Sequence, residues 1–283
     1  MSDKVLPVTR VLEDSFVYSC SFESQRGFEQ FSAHHVLAFQ FSGETHIQHQ
    51  NGELVLRKNQ ALLARKNQLT KSIKIPAGDK EYKIISVILT DIALQRFASD
   101  TDIFNNKKYD GESLLFIKPD SLMKGYFHSL LPYIEKSKKI SKKLAAIKTN
   151  EAIEMLLSLK PSLKSFLFDF SNPHKIDLQK FMRQNFNYNV PIEAFAKLTG
   201  RSLAGFKRDF DAVFQTSPRK WLKEKRLNEA HHLIHRKKQK PADIYLDLGF
   251  ENLSHFYTSF KKQFGVTPNV LIKNHETTKS IVI

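Results

Sequence analysis

The sequence is short of the residues that staple or coil a chain. One cysteine, Cys20, stands among 283 residues. A single thiol forms no internal disulfide, no cysteine-rich structural zinc site and no iron–sulfur cluster. Glycine and proline number 10 each, which excludes collagen-like and low-complexity chains. No apolar run approaches ~18 residues, so no membrane-spanning helix is expected. Met1 to Arg10 carries Asp3, Lys4 and Pro7 and lacks the apolar stretch of a secretory signal. With so little cysteine, the expected compartment is a reducing cytoplasm. No nucleophile elbow, P-loop or dinucleotide glycine fingerprint occurs, so the expectation is a protein that is not an enzyme and holds no cofactor.

What is present is a folding composition. Hydrophobic residues make up 41% and charged residues 26%, and phenylalanine alone contributes 23. The length suggests about two domains. The net charge is +15 and is unevenly spread. From His174 onward there are 20 basic and 10 acidic residues, +10, against +5 for the longer stretch before it. A basic field of that size favours polyanions such as nucleic acid, an anionic membrane surface or an acidic partner.

Three regions follow from the patterning. Residues 1–120 read as β. Phe16 to Phe22 alternates aromatic and small residues, and Val36 to Phe41 is an apolar run. Asn51-Gly52 marks a hairpin between Thr45–Gln48 and Leu54–Leu56. Arg57-Lys58-Asn59-Gln60 recurs as Arg65-Lys66-Asn67-Gln68 around Ala61–Ala64, the spacing of short strands joined by polar turns. Ile73 and Ile75, then Ile84, Ile85, Val87 and Leu89, continue the pattern across Pro76-Ala77-Gly78-Asp79. The expected fold class is α+β in two domains, beginning with a cupin-like β-barrel or sandwich. Residues 121–170 read as helical. Asp120 or Ser121 caps a helix with Leu122, Phe127, Leu130, Leu131 and Ile134. After a lysine-rich stretch, Lys136 to Lys143, a second helix carries Ile147, Ile153, Leu156 and Leu157 and stops near Pro161. These helices can pack on the β region or against another copy of the chain. Ser171-Asn172-Pro173 reads as the break before an all-α domain, residues 174–283.

That last region repeats itself with an offset of 50 residues. Leu198 falls on Leu248, Leu203 on Leu253, and Phe206, Phe210 and Phe214 on Phe256, Phe260 and Phe264. Ser217 falls on Thr267 and Pro218 on Pro268, while Pro191 and Pro241 precede the copies. In the first copy Pro191 sets the start of a short helix, Ile192 to Leu198. Gly200 supplies a positive φ in the turn, and Ser202 caps a second helix, Leu203 to Phe214. Phenylalanines four residues apart share one face of that helix. The second copy predicts a helix from Ala242 to Leu248 and a turn at Gly249-Phe250-Glu251. An Asn252 cap then opens a helix from Leu253 to Phe264, ended by Gly265. Each copy is a helix-turn-helix unit, at 191–214 and 241–264, whose second helix can enter the DNA major groove. The helix between them, Trp221 to His235, sets their separation, and two grooves on one face of a duplex lie about 34 Å apart.

The segment from Ile176 to Val270 resembles the DNA-binding domain of the AraC/XylS family of bacterial transcription regulators. The resemblance is carried by Leu198-Thr199-Gly200-Arg201-Ser202, Phe206-Lys207-Arg208-Asp209-Phe210 and Gly249-Phe250-Glu251-Asn252. It continues through Ser254-His255-Phe256, Phe260-Lys261 and, most diagnostically, Phe264-Gly265-Val266-Thr267-Pro268. It implies a seven-helix domain that reads two adjacent major grooves, joined to an N-terminal domain for ligand sensing or dimerisation, often a small β-barrel. It places base contacts at Ala204, Lys207 and Arg208, with Ser202 at the cap. Arg208 can bond guanine in bidentate fashion, Lys207 can reach a base or a phosphate, and Ala204 can touch a thymine methyl. In the second unit the corresponding residues are Leu253, Ser254, His255 and Thr258. Many family members carry Arg at the place of Thr258, so the first unit is expected to discriminate sequence. The second would add phosphate contacts through Ser254, His255 and Lys261. The implied partners are promoter or operator DNA, a small-molecule effector in the N-terminal domain, a second copy of the chain and RNA polymerase, without a membrane.

Two other readings compete. One is a cupin-like metalloenzyme domain fused to a DNA-binding tail. His46 and His49 invite it, but residues three apart on a strand face opposite ways, so no metal is assigned. The other is a regulator controlled by a protein partner at the middle helices. His231, His232 and His235 read as solvated residues of the connecting helix, His34-His35 has no evident partner, and Cys20 reads as a buried thiol on an apolar strand.

Overall fold

A computed structural model describes residues 8–27, 31–49, 51–78, 80–105, 107–135, 140–171 and 173–272. Asp79 and Asn172 of the anticipated turns, residues 136–139 of the lysine-rich stretch and most of the first ten residues lie outside the described set. The chain divides into two compact bodies, Met1–Ser171 and Asn172–Ile283.

Among its described residues the first body contains eleven strands: β1 (Val8–Leu12), β2 (Phe16–Ser21), β3 (Gln25–Arg26), β4 (Phe31–Ser32), β5 (His35–Ser42) and β6 (Glu44–His49), then β7 (Gly52–Arg57), β8 (Ala61–Ala64), β9 (Gln68–Ile75), β10 (Tyr82–Leu89) and β11 (Leu114–Ile117). They form two antiparallel sheets. One runs β1-β2-β10-β5-β8-β11; the other runs β3-β9-β6-β7, with β4 also on β9. Neither sheet closes on itself among the described strands, so of barrel and sandwich the sandwich is what forms. The hairpin at Asn51-Gly52 pairs Thr45 with Leu56 and His49 with Gly52.

Strand periodicity sorts the core. Leu37, Phe39, Leu63, Ile85 and Val87 point to one face of the six-stranded sheet. Their neighbours Ala38, Leu62 and Ile84 point to the other, where Leu56 and Tyr82 join them beneath the second sheet. Successive side chains alternate across a strand, so one run of apolar residues serves two layers. The outer layer is covered by α1 (Asp91–Asp100), α2 (Ser121–Glu135), α3 (Lys142–Leu159) and α4 (Leu163–Leu167). Phe39 stacks on Phe127 at 5.0 Å, and Leu94, Met123, Ile153, Phe166 and Phe168 complete that core. The segment 121–170 therefore shares the core of the β region. Asp120 is the α2 cap, its carboxylate accepting the Met123 N–H at 2.8 Å. Helix α1 lies in a stretch read as β, with Thr90 as its cap.

The polar turns also differ from expectation. Asn59 and Asn67 both take left-handed backbone conformations, as turns require. Arg65 and Lys66, however, face inward. Lys66 is only 6% exposed; its ammonium lies 2.9 Å from Asp91, and Arg65 pairs with Asp169. Cys20 is half-buried and unpaired with any other cysteine.

The second body is helical: α5 (Leu178–Asn185), α6 (Ile192–Leu198), α7 (Leu203–Phe214), α8 (Pro218–Lys237), α9 (Pro241–Ile244) and α10 (Leu253–Phe264). Residues 268–272 are again helical. It has two cores. Leu178, Met182, Ile192, Phe195, Phe206, Phe210 and Leu222 form one. Leu227, Ala230, Ile234, Ile244, Leu248, Phe250, Phe256 and Phe260 form the other. Helix α8 supplies Leu222 to the first and Leu227, Ala230 and Ile234 to the second, so one rod of about 30 Å bridges both.

Candidate nucleic-acid interface

Each unit is built by the same local chemistry. Pro191 precedes α6, and the turn after it runs through Gly200 at φ +68. A Cβ there would lie 2.4 Å from the backbone of His174, so both the conformation and the space demand glycine. Arg201 braces the turn. Its guanidinium donates to the carbonyls of Thr199 at 2.7 Å and Ile176 at 3.0 Å and to Asp209 at 3.0 Å. Lys175 lies 2.7 Å from the same carboxylate. Hydrogen bonds from Lys175 and Arg201 hold the Asp209 carboxyl below its ordinary range.

Helix α7 begins at Ser202, whose hydroxyl oxygen accepts the Gly205 N–H at 3.1 Å. Phe206 and Phe210 are fully buried, and Phe214 packs on Trp221 at 4.7 Å. This anchors one face and leaves Ala204, Lys207, Arg208 and Asp211 in solvent. Arg208 is 81% exposed, and its one ionic neighbour among the described pairs is Asp209, 3.8 Å away. Its fork is therefore open toward solvent.

The second unit repeats the plan with differences. Its first helix ends at Ile244, and the chain continues to Leu248 as turns, not as the helix expected from Ala242 to Leu248. Asp243, Tyr245 and Leu248 still bond back along the chain, and Leu248 and Phe250 fill the core. Asn252 caps α10 through the His255 N–H at 2.7 Å. Gly265 ends it at φ +76. Phe256 and Phe260 are buried, while Ser254, His255, Thr258 and Lys261 are exposed. Leu253 is half-buried against the second core. The Thr258 hydroxyl donates to the Ser254 carbonyl at 3.0 Å, which occupies its one donor within the helix.

The structure thus sets Ser202, Ala204, Lys207 and Arg208 along the open side of α7, and Ser254, His255, Thr258 and Lys261 along that of α10. Two concave surfaces adjoin them. One, of about 470 Å³, is lined by Glu193, Lys207, Asp211 and Arg219. The other, of about 350 Å³, is lined by Glu193, Arg219, Lys223, Glu251 and His255 between the two units. Sequence reasoning misses Arg219 and Lys223, although they sit one turn apart on α8.

Among the described residues no three of His, Cys, Asp and Glu gather into a metal-sized group. His46 instead pairs with Glu44 at 2.7 Å. His231 is not a solvated linker residue: it is half-buried and lies against Phe264 at 4.8 Å. Burial, and then its neighbour His235, lower its basicity. His35 has a partner after all, packing on Phe166 at 5.1 Å.

Two helix-turn-helix units on one connecting helix define a class of DNA-binding domain. Residues 195–274 match the family described as "Helix-turn-helix domain", and residues 35–168 match the "ExsA N-terminal regulatory domain". Over these stretches the chain is similar to regulators of the AraC/XylS family. It is 34% identical over 129 residues to the HTH-type transcriptional regulator ExsA of Pseudomonas aeruginosa, covering 44% of this chain and 46% of that one. It is 36% identical over 121 residues to the thermoregulatory protein LcrF of Yersinia pestis, covering 41% and 45%. The chain thus spans less than half the length of these curated relatives. Among solved structures, ToxT from Vibrio cholerae aligns over 91% of this chain and 98% of its own at 14% identity and a TM-score of 0.42.

Proposed function

We propose that the chain is a sequence-specific DNA-binding transcription regulator whose α7 and α10 enter successive major grooves of promoter DNA. The observation that carries this reading is the pairing of α7 and α10. Each is pinned by buried phenylalanines and turns an exposed polar face outward, in the region that holds most of the net positive charge. Arg208 is the guanine reader, Lys207 takes a base or a phosphate, and Ala204 meets a thymine methyl. Ser202 spends its oxygen on the cap and keeps its hydroxyl proton for a phosphate. Thr258 has spent its donor on Ser254, so α10 contributes backbone contacts through Ser254, His255 and Lys261, with Leu253 offering only its outer edge.

The N-terminal body carries the regulatory role, through a small-molecule effector or a second copy of the chain. The family match over 35–168 supports this assignment, and the exposed apolar Leu122 of α2 and Ile147 of α3 suit a homodimer. Two DNA-binding bodies on a dimer bind more tightly than one because the second contact is intramolecular. RNA polymerase is the further partner of a regulator that activates. The names of the relatives favour regulation over catalysis, and no helix among the described residues is long and apolar enough to cross a membrane.

The test is the double substitution K207A/R208A. Specific affinity is expected to fall by about tenfold or more, with base preference relaxed at the contacted position. Unchanged affinity and unchanged preference in footprinting and competition assays would remove both residues as readers.

A further inference from the structure

Helix α8 carries a stripe of residues four apart: Leu222, Arg226, Ala230 and Ile234. Three of them are buried apolar side chains. Arg226 interrupts the stripe where α8 passes from the first core to the second. An inward charge must be matched by acceptors, and here all of them are backbone carbonyls. Nε donates to Phe186 at 2.7 Å and Nη2 to Tyr188 at 2.8 Å, both in the loop between α5 and α6. Nη1 donates to Gly249 at 3.0 Å, in the turn before α10. One planar fork thus holds the loop that leads into the first unit by two bonds and the turn of the second unit by one.

The fit is close. Gly249 takes φ +82, and a Cβ on it would stand 2.9 Å from the guanidinium carbon. Burial lowers Arg226 to about 10, which leaves it charged at neutral pH. A second link between the same loops, Asn189 to Glu251 at 3.2 Å, is exposed and worth little by comparison. Lysine would keep the charge but not the three-way planar geometry.

We infer that Arg226 is a positioning residue for DNA reading: by tying the loop that leads into the first helix-turn-helix unit to the turn of the second, it fixes the spacing at which α7 and α10 engage the duplex. The inference rests on the DNA-reading function proposed above. Arg226 acts through the geometry of the two units, so its loss widens the range of accepted spacings and leaves each unit's own base preference intact.

The experiment selects bound duplexes from a pool with a 30-base-pair random core, using the full chain, R226K and R226Q. Wild type is expected to recover two motifs at one spacing of about 10 base pairs, centre to centre. The variants are expected to recover the same two motifs spread over several spacings. On the best wild-type duplex, one inserted base pair between the motifs should cost wild type about tenfold in affinity and the variants less than about threefold. Variants that keep the single spacing and the full insertion penalty would overturn the inference. So would variants that recover only one motif, which would show that Arg226 is needed to fold a unit and not to space the pair. A wild-type chain that recovers no motif would bring down the proposed function itself, a result distinct from either.

Discussion

His35 is held neutral by its surroundings. Burial, then Lys66, then Arg65 push its pKa down to about 3; Asp169 pulls the other way, and His34 adds a lesser push. The unfolded chain takes up a proton near pH 6.5 that the folded chain refuses. Between those values the unfolded state binds more protons, so stability rises with pH and is fully present above about 6.5. The N-terminal body is therefore expected to lose stability on acidification through that window, by up to about 1.4 kcal/mol per pH unit. Hydrogen exchange of the β5 and β8 amides against pH measures it, and H35Q should flatten the slope; an equal slope in the variant would refute the assignment. Asp169 works in a lower window. Burial alone would raise it, but hydrogen bonds from the Ser171 hydroxyl, the Tyr109 and Ser171 backbone and the Arg65 guanidinium hold it below its ordinary range. Its contribution is present above about pH 4 and disappears below it. None of this is legible in the sequence. Arg65-Lys66 echoes Arg57-Lys58, and only the fold shows that one pair meets solvent while the other meets Asp169 and Asp91.

Elements are easier to read from sequence than their partners. The phenylalanines four residues apart place α7 and α10 to the residue, because a full apolar stripe plus a capping side chain is a long signal. Helix α9 is shorter than its pattern suggests because Leu248 continues the apolar spacing while the backbone has already left the helix; core burial and periodicity look alike over one turn. Helix α1 escapes a periodicity reading because its ten residues bury only Leu94 and Phe97. The inward Arg226 leaves a trace, a charge within a four-residue stripe, but periodicity gives no hint of three carbonyls arriving from other segments. Two glycines separate conformation from space. A Cβ on Gly265 would meet nothing within 4 Å, so G265A is expected to cost only the left-handed strain, about 1 kcal/mol. G200A adds a 2.4 Å collision with His174 and should cost clearly more than G265A. Urea unfolding followed by Trp221, which packs in the first core, reads the G200A effect; equal costs would refute the clash.

At the scale of the molecule, charge and division into bodies make the remaining predictions. Residues 172–283 form a compact body with two cores of their own. A fragment of that span is expected to unfold cooperatively, with its Trp221 fluorescence and far-UV transitions coincident. Affinity for DNA should fall steeply with salt as phosphate contacts displace counterions, and K207A/R208A should lower the magnitude of the log–log slope by roughly 1 to 2. An unchanged slope would place both residues away from the backbone and the bases alike. The change of period near Asp120 passes over α1, and the common core that joins sheets and helices depends on contacts between residues as distant as Phe39 and Phe127. The brevity of α9 has a consequence for motion. With four residues it has only a short helical ladder, continued by turn bonds from Leu248, Gly249 and Phe250, so the support behind α10 leans on the side chains Ile244, Leu248 and Phe250. Deuterium should therefore enter the 241–249 segment faster than 192–200, so that the second helix-turn-helix unit breathes more than the first.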